Sequence, residues 1–132
     1  MRPTSERMFK YFLALGEGEH VEFKRCSKGV CDDTFETVCS FANGGGGDIF
    51  LGVEDGGTVR GIACGNIETI LGTITRTATN PVLFSPPVEL LPEVFRAGAK
   101  TLVRIRVAPG TSPCSYKGVV YRRVGDADIA DK

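Results

Sequence analysis

Four consecutive glycines, Gly44–Gly47, separate a stretch with helical periodicity from a stretch with the pattern of a buried strand. Phe35, Val38 and Ala42 recur at helical spacing before the glycines, and Ile49-Phe50-Leu51 follows them. A nucleotide-binding glycine loop follows a strand and opens a helix, so that the amino terminus of the helix faces the phosphate. Here the order is reversed and no Gly-Lys-Ser/Thr follows. The run therefore predicts a helix stop and a tight turn that needs positive φ.

The rest of the chain predicts further helices and short strands around this turn. Apolar spacing indicates a first helix between Ser5 and Gly16 and a third that begins at Asn66 and ends at Asn80-Pro81. Strand patterns lie at 20–24, 48–53 with a hairpin return at 58–62, 101–107 and 119–124. The predicted fold class is α+β: a small mixed sheet built of hairpins, with about three helices, in a single compact domain.

Length and composition narrow the class of protein. A chain of 132 residues has room for one core, and 42% hydrophobic with 24% charged residues is typical of a soluble fold. No apolar run approaches the roughly 18 residues of a membrane span, and Lys10 interrupts the first apolar stretch, which excludes a signal peptide. The five cysteines contain no CxxC pair. We therefore expect reduced thiols and a cytoplasmic location, without a zinc site or a disulfide framework.

Charge is balanced overall but uneven along the chain. Sixteen bases offset sixteen acids, which excludes a strongly polybasic module. Nine acids and two bases lie between Asp32 and Glu93, whereas seven bases and no acid lie between Arg96 and Arg123. In strand 101–107 the alternation points Arg104 and Arg106 away from the core, toward solvent. Such a one-sign region suits an anionic partner such as nucleic acid, although charged strand faces that only prevent aggregation give the same pattern.

Acidic residues beside two turns form a second candidate site. Glu17 and Glu22 flank a turn that contains Gly18, and Glu54-Asp55 lies at the tip of the hairpin. Carboxylates that converge repel one another unless a divalent cation binds between them. A spacing of five places Glu17 and Glu22 on opposite faces of a regular strand, so they meet only if Gly18 bends the chain. The alternative is a set of exposed acids beside turns.

Three segments combine into one specific pattern: Glu17–Lys24, Phe41–Gly57, and Val120–Gly125 together with the preceding Ser112-Pro113-Cys114. Together they resemble the Schlafen-type Alba-like domain, the divergent AAA-associated DNA-binding domain of bacterial transcriptional regulators. The resemblance covers about Gly16 to Gly125 and implies a domain at residues 1–125. Residues 126–132 then form a short acidic tail with little to bury, compatible with the cut point of a longer protein.

The resemblance implies a nucleic-acid-binding module at the amino end of a longer regulator. Positively charged side chains, and the amide at the end of the second helix, are expected to contact phosphates. This set comprises Lys24, Arg25, Asn43, Arg104, Arg106, Lys117, Arg122 and Arg123. DNA and RNA both stay open as partners. A third hypothesis, ATP binding, rests only on how relatives are labelled.

The resemblance also implies an alternative function. Nuclease-active Schlafen proteins cleave RNA with a divalent metal held by two glutamates five apart and an aspartate after the hairpin strand. Carried over by motif, the glutamates are Glu17 and Glu22, and the aspartate is Asp55, with Glu54 as the fallback. The alternative is therefore an endoribonuclease that depends on Mg²⁺ or Mn²⁺, with no other cofactor expected. Those enzymes pair two lobes, whereas this chain has one, and exposed edge strands would allow a homodimer to supply the second.

Overall fold

The computed structural model describes residues 3–131; Met1, Arg2 and Lys132, which fall in the predicted domain and tail, lie outside the described residues. The helices of the described part are α1 (Glu6–Leu15), α2 (Asp33–Ala42) and α3 (Cys64–Ala78). Its strands are β1 (Val21–Lys24), β2 (Gly47–Leu51), β3 (Phe84–Ser85), β4 (Leu91–Ala97), β5 (Lys100–Val107), β6 (Ser115–Tyr116), β7 (Tyr121–Val124) and β8 (Ala127–Ala130). The predicted α+β class is confirmed. None of the helices in residues 3–131 is long and apolar enough to cross a membrane.

The main sheet has four strands in the order β1-β2-β5-β4, so that β1 and β4 are its edges. β1 runs parallel to β2, and the other two pairings are antiparallel. β3 pairs with β6, and β7 pairs with β8, in two small separate sheets. The predicted return strand at 58–62 contributes only one isolated bridge, between Val53 and Val59. β2 pairs with the distant β5 instead, so the hairpin is shorter than predicted.

Helices cover both faces of the main sheet. Ile49 and Ile105 belong to the core on the side of α2 and α3, whereas Phe50 packs with Phe9 of α1 on the other side. The expectation that Arg104 faces solvent is therefore wrong. The residue does lie opposite the α2 side, paired in register with Phe50, but α1 covers it and leaves it 6% exposed.

The glycine run ends α2 as the sequence predicts. The N–H of Gly46 donates to the carbonyl oxygen of Phe41 at 2.9 Å, and Gly46 has a φ of 78°, a region that side chains disfavour. A Cβ on Gly47 would lie 2.7 Å from the Phe41 ring. Gly46 is therefore required because of its positive φ, and Gly47 because a side chain there would collide with Phe41.

The segment predicted as an acidic tail contributes a strand. β8 pairs with β7 from Tyr121↔Ala130 to Val124↔Ala127. The Asp128 carboxylate accepts hydrogen bonds from the hydroxyls of Thr37 and Ser40 on α2. This strand therefore does bury a polar anchor, contrary to the expectation for residues 126–132. The domain limit at residue 125 stays a prediction.

Candidate functional site

Glu17 and Glu22 meet, as the sequence requires for a joint role. The N–H of Gly18 donates to the carbonyl oxygen of Val21 at 3.0 Å, which turns the chain back just before β1. Glu17 Oε2 then accepts the backbone N–H of Phe23 at 3.1 Å, and the Glu17 side chain interacts with that of Glu22. The bend at Gly18 therefore converts a five-residue spacing into contact.

Glu22 lies in a buried environment that favours its protonated form. Its side chain is 8% exposed. Burial first, and then the hydrogen bond with Glu17, raise the pKa of Glu22 to about 8, against the opposing charge of Lys24. A carboxyl that holds its proton near neutral pH can donate a hydrogen bond to the neighbouring carboxylate, which removes the repulsion expected of two charged acids.

Arg123 joins this pair to the carboxyl-terminal strands. Its Nη1 lies 2.9 Å from Glu22 Oε1 and donates to Asp128 Oδ1 at 2.8 Å. Its Nη2 donates to the carbonyl oxygen of Gly18 at 2.8 Å, and the guanidinium lies 4.8 Å from the centre of the Phe41 ring. We call Glu17, Glu22, Lys24, Arg123 and Asp128 the Arg123 cluster. The arginine is 4% exposed on its side chain, so it fixes the fold here and does not face a ligand.

Lys24 completes the Arg123 cluster beside α2. Its Nζ lies 3.0 Å from Asp33 Oδ2 and 3.7 Å from Glu22 Oε2. The prediction that Lys24 and Glu22 share a strand face is therefore correct. Because the lysine side chain is only 13% exposed, its ammonium group is held between these two side chains and is largely withdrawn from solvent.

The structure does not bring Asp55 to the two glutamates. Asp55 is exposed at the hairpin tip, in a shallow recess with Arg25, Glu54 and Gly56. Within residues 3–131, no group of three or more His, Cys, Asp or Glu side chains is placed to hold a metal ion. Glu22 already contacts Arg123, Lys24 and Glu17. The arrangement does not fit a Mg²⁺ or Mn²⁺ site formed by the three predicted carboxylates.

Arg104 and Arg106, both predicted to contact phosphates, have partners inside the protein. Arg104 Nε donates to Asp48 Oδ1 at 2.9 Å, and its Nη1 donates to Thr4 Oγ1 at 2.9 Å. Arg106 Nη2 donates to Glu93 Oε1 at 3.0 Å. These contacts tie β5 to β2, to β4 and to the segment before α1, which accounts for the two arginines without a ligand.

Asn43 is also used by the fold. Its Nδ2 donates to the carbonyl oxygens of Cys114 and Tyr121, each at 2.9 Å, and its Oδ1 accepts the N–H of Cys114 at 2.7 Å. A single side-chain amide thus joins the end of α2 to two later segments. The sequence predicts Asn43 as a helix end and a phosphate contact. It does not reveal these hydrogen bonds, because their partners lie more than 70 residues away.

Three residues of the predicted phosphate-contacting set are exposed: Arg25, Lys117 and Arg122. Arg122 borders a groove of about 340 Å³. Other residues of its wall are Asn43, Thr111, Ser112, Tyr121 and Asp131. Asn43 and Arg122 belong to the predicted phosphate-contacting set, but the sequence does not predict that they border a groove. The signal for the groove is the loop character of Pro109-Gly110 and Ser112-Pro113.

Solved structures with a similar fold include the following two. The N-terminal domain of a RecG-related protein from Nitrosomonas europaea superposes with a TM-score of 0.70 at 24% identity, over 98% of this chain and 93% of that one. The DIP2311 protein from Corynebacterium diphtheriae gives a TM-score of 0.62 at 19% identity, over 86% of this chain. The match spans 22% of the DIP2311 protein, about a fifth of its length.

The family match agrees with the motifs seen in the sequence. Residues 17–130 match the family described as Schlafen, AlbA_2. This range includes the turn before β1, the glycine run and β8, so it covers well over half of the chain. The chain belongs to the Schlafen, AlbA_2 family.

Proposed function

We propose that the chain is a nucleic-acid-binding module of a bacterial transcriptional regulator, and that it binds DNA through the phosphate backbone. The observation that carries the proposal is the family match over residues 17–130. The name of the RecG-related neighbour, which relates it to an ATP-dependent DNA helicase, supports the same class of partner. The fold is common to the two chains over nearly their full lengths.

The exposed cations are the groups available for phosphate contact. Arg25, Lys117 and Arg122 are exposed, whereas Arg104 and Arg123 are committed to internal acids. We therefore assign phosphate contact to the first three and assign a structural role to the buried pair. Contacts to phosphates hold a backbone without reading base sequence. Sequence specificity would come from another domain.

We further propose that the module is joined to other domains, forms a homodimer and is located in the cytoplasm. The DIP2311 protein, of which this chain matches 22%, supports further domains in the full-length protein. A homodimer would place two sets of exposed cations along one duplex. Because a bacterial regulator meets DNA in the cytoplasm, the proposed function implies a cytoplasmic location.

We expect binding to labelled DNA or RNA at low ionic strength, with an affinity that falls steeply as salt is added. Three phosphate contacts predict a slope of log K against log salt of about −3 on duplex and about −2 on single strands. Arg122→Gln should weaken binding several-fold and make the slope less negative by about 1. Fluorescence anisotropy with duplex DNA, single-stranded DNA and RNA of equal length measures both quantities.

Arg76→Gln is the matched control for the binding experiment. Arg76 is exposed near the end of α3, so the substitution removes the same charge from a different element. We expect it to leave affinity and slope unchanged. Absence of binding to all three nucleic acids at low salt would contradict the proposal, and equal losses in the two variants would contradict the assignment of Arg122.

The alternative, a metal-dependent endoribonuclease, is favoured by one observation, the contact between Glu17 and Glu22. Because Asp55 lies apart from them at the hairpin tip, we expect labelled RNA to stay intact with millimolar MnCl₂ on a denaturing gel. Cleavage that both Glu22→Gln and Asp55→Asn abolish would establish the alternative. Cleavage that neither substitution affects would indicate a contaminating nuclease.

A further inference from the structure

Two cysteine thiols lie in contact beside the amino end of α2. Cys26 follows β1 and Cys31 precedes α2, and their Sγ atoms are 2.7 Å apart. The backbone N–H of Cys31 also points to the Cys26 sulfur, at 3.3 Å. All five cysteines of the chain are free thiols. The sequence alone gives no reason to single out this pair, because a spacing of five is not a recognised redox motif.

We propose that Cys26 and Cys31 form a reversible oxidation site, which low-molecular-weight disulfides convert into an intramolecular disulfide. The inference is independent of the proposed function, since it uses neither nucleic acid nor the exposed cations. Disulfides that form in a reducing compartment are usually transient and sense the redox state.

The two sulfurs differ in access in the way that stepwise oxidation needs. Cys31 is exposed, whereas Cys26 is 4% exposed and also contacts Thr34 Oγ1 at 3.6 Å. An incoming reagent therefore meets Cys31 first and finds Cys26 directly behind it. Burial, the largest cause, raises the pKa of Cys26 to about 12. A raised pKa keeps Cys26 in its thiol form, so Cys31 is the sulfur that reacts first.

The backbone around the pair is held at both ends. Cys26 has a φ of 32°, in the left-handed region that residues other than glycine seldom adopt. Such a conformation persists where the surrounding structure imposes it. Asn66 Nδ2 donates to the carbonyl oxygen of Ser27 at 3.0 Å. The backbone N–H of Thr34 donates to the carbonyl oxygen of Cys31 at 3.0 Å. The segment therefore holds the two sulfurs together without a covalent bond.

The reaction balances as two thiol–disulfide exchanges. The Cys31 thiolate attacks a disulfide RSSR, which gives a mixed disulfide at Cys31 and releases RS⁻. Cys26 then loses its proton to solvent and attacks the Cys31 sulfur, and the second RS⁻ leaves. Both thiolates released take up the protons lost by the two cysteines. The two protein thiols are oxidised to one disulfide, and RSSR is reduced to two RSH.

The test uses the full chain in buffers of reduced and oxidised glutathione, followed by alkylation and peptide mass spectrometry. We expect a peptide pair joined through Cys26 and Cys31, which dithiothreitol reverses. In Cys26→Ser the reaction should stop at a glutathione adduct on Cys31. Because ring closure is intramolecular, wild type should accumulate that adduct at least about tenfold less.

The chain supplies two internal controls. Cys64 is exposed, and we expect it to form only a glutathione adduct. Cys39 and Cys114 are both buried and should resist alkylation until the chain is unfolded. A glutathione adduct on Cys31 as abundant in wild type as in Cys26→Ser would overturn the proposal. So would a Cys31 that stays reduced while Cys64 reacts, and this second readout is made in wild type alone, so it does not depend on whether the variant folds.

Discussion

We expect Arg123→Met to lower the free energy of unfolding by about 3–5 kcal/mol, the range for breaking a buried ion pair, here that with Asp128, from one side. The arginine side chain is 4% exposed and serves Glu22, Asp128 and the carbonyl oxygen of Gly18. Methionine fills part of the space but donates no hydrogen bond, so these acceptors lose a partner inside the protein. Urea unfolding followed by circular dichroism measures the loss. Small domains have only about 5–15 kcal/mol in total.

Arg122→Met is the control for this substitution. Arg122 is the preceding residue of β7 and is exposed, so the same chemical change there should alter stability by no more than about 0.5 kcal/mol. Equal losses at the two positions would show that charge on β7, and not the Arg123 cluster, sets the stability of this strand.

The second large effect is a loss of stability as the pH rises from about 4.5 to about 8. Burial and the hydrogen bond with Glu17 raise the pKa of Glu22 from 4.5 to about 8 in the folded protein. In this window the unfolded chain has released a proton that the folded chain keeps. The contribution of Glu22 is therefore complete below pH 4.5, falls through the window and is lost above pH 8. Its size is on the order of 3–5 kcal/mol.

Glu22→Gln isolates this contribution, because the amide stays neutral at every pH and can still donate a hydrogen bond to Glu17. We expect the difference in unfolding free energy between wild type and variant to change across the window and to level off above it. Glu68→Gln, at an exposed position of α3, should give a curve parallel to that of wild type. Parallel curves for Glu22→Gln as well would contradict the raised pKa.

Local patterns in the sequence predict much of this fold. Ser5 caps α1 by accepting the N–H of Met8 at 3.1 Å, and Gly16 ends that helix with a φ of 75°. The alternation of β1 correctly places Glu22 and Lys24 on one face. The condition that Gly18 must bend the chain is also met. Each of these features depends on residues close together in the chain, which is why spacing alone reveals them.

Local sequence patterns do not predict the roles of Arg104, Asn43 and Asp128. Alternation shows that Arg104 lies opposite the core of α2 and α3, but it does not show that α1 covers that second face. Asn43 and Asp128 bond to segments more than 70 residues away. A pattern of charge indicates which residues are polar, and only the tertiary arrangement decides whether their partners are ligands or other parts of the protein.

One edge of the main sheet, β4, has a consequence for association between copies. β4 borders the sheet, and Pro92 lies within it, in register with Ile105 of β5. Proline has no N–H, and in a paired strand it is tolerated where that group would point outward. A strand from another molecule would meet an interrupted row of donors here, which opposes runaway addition of strands into fibrils.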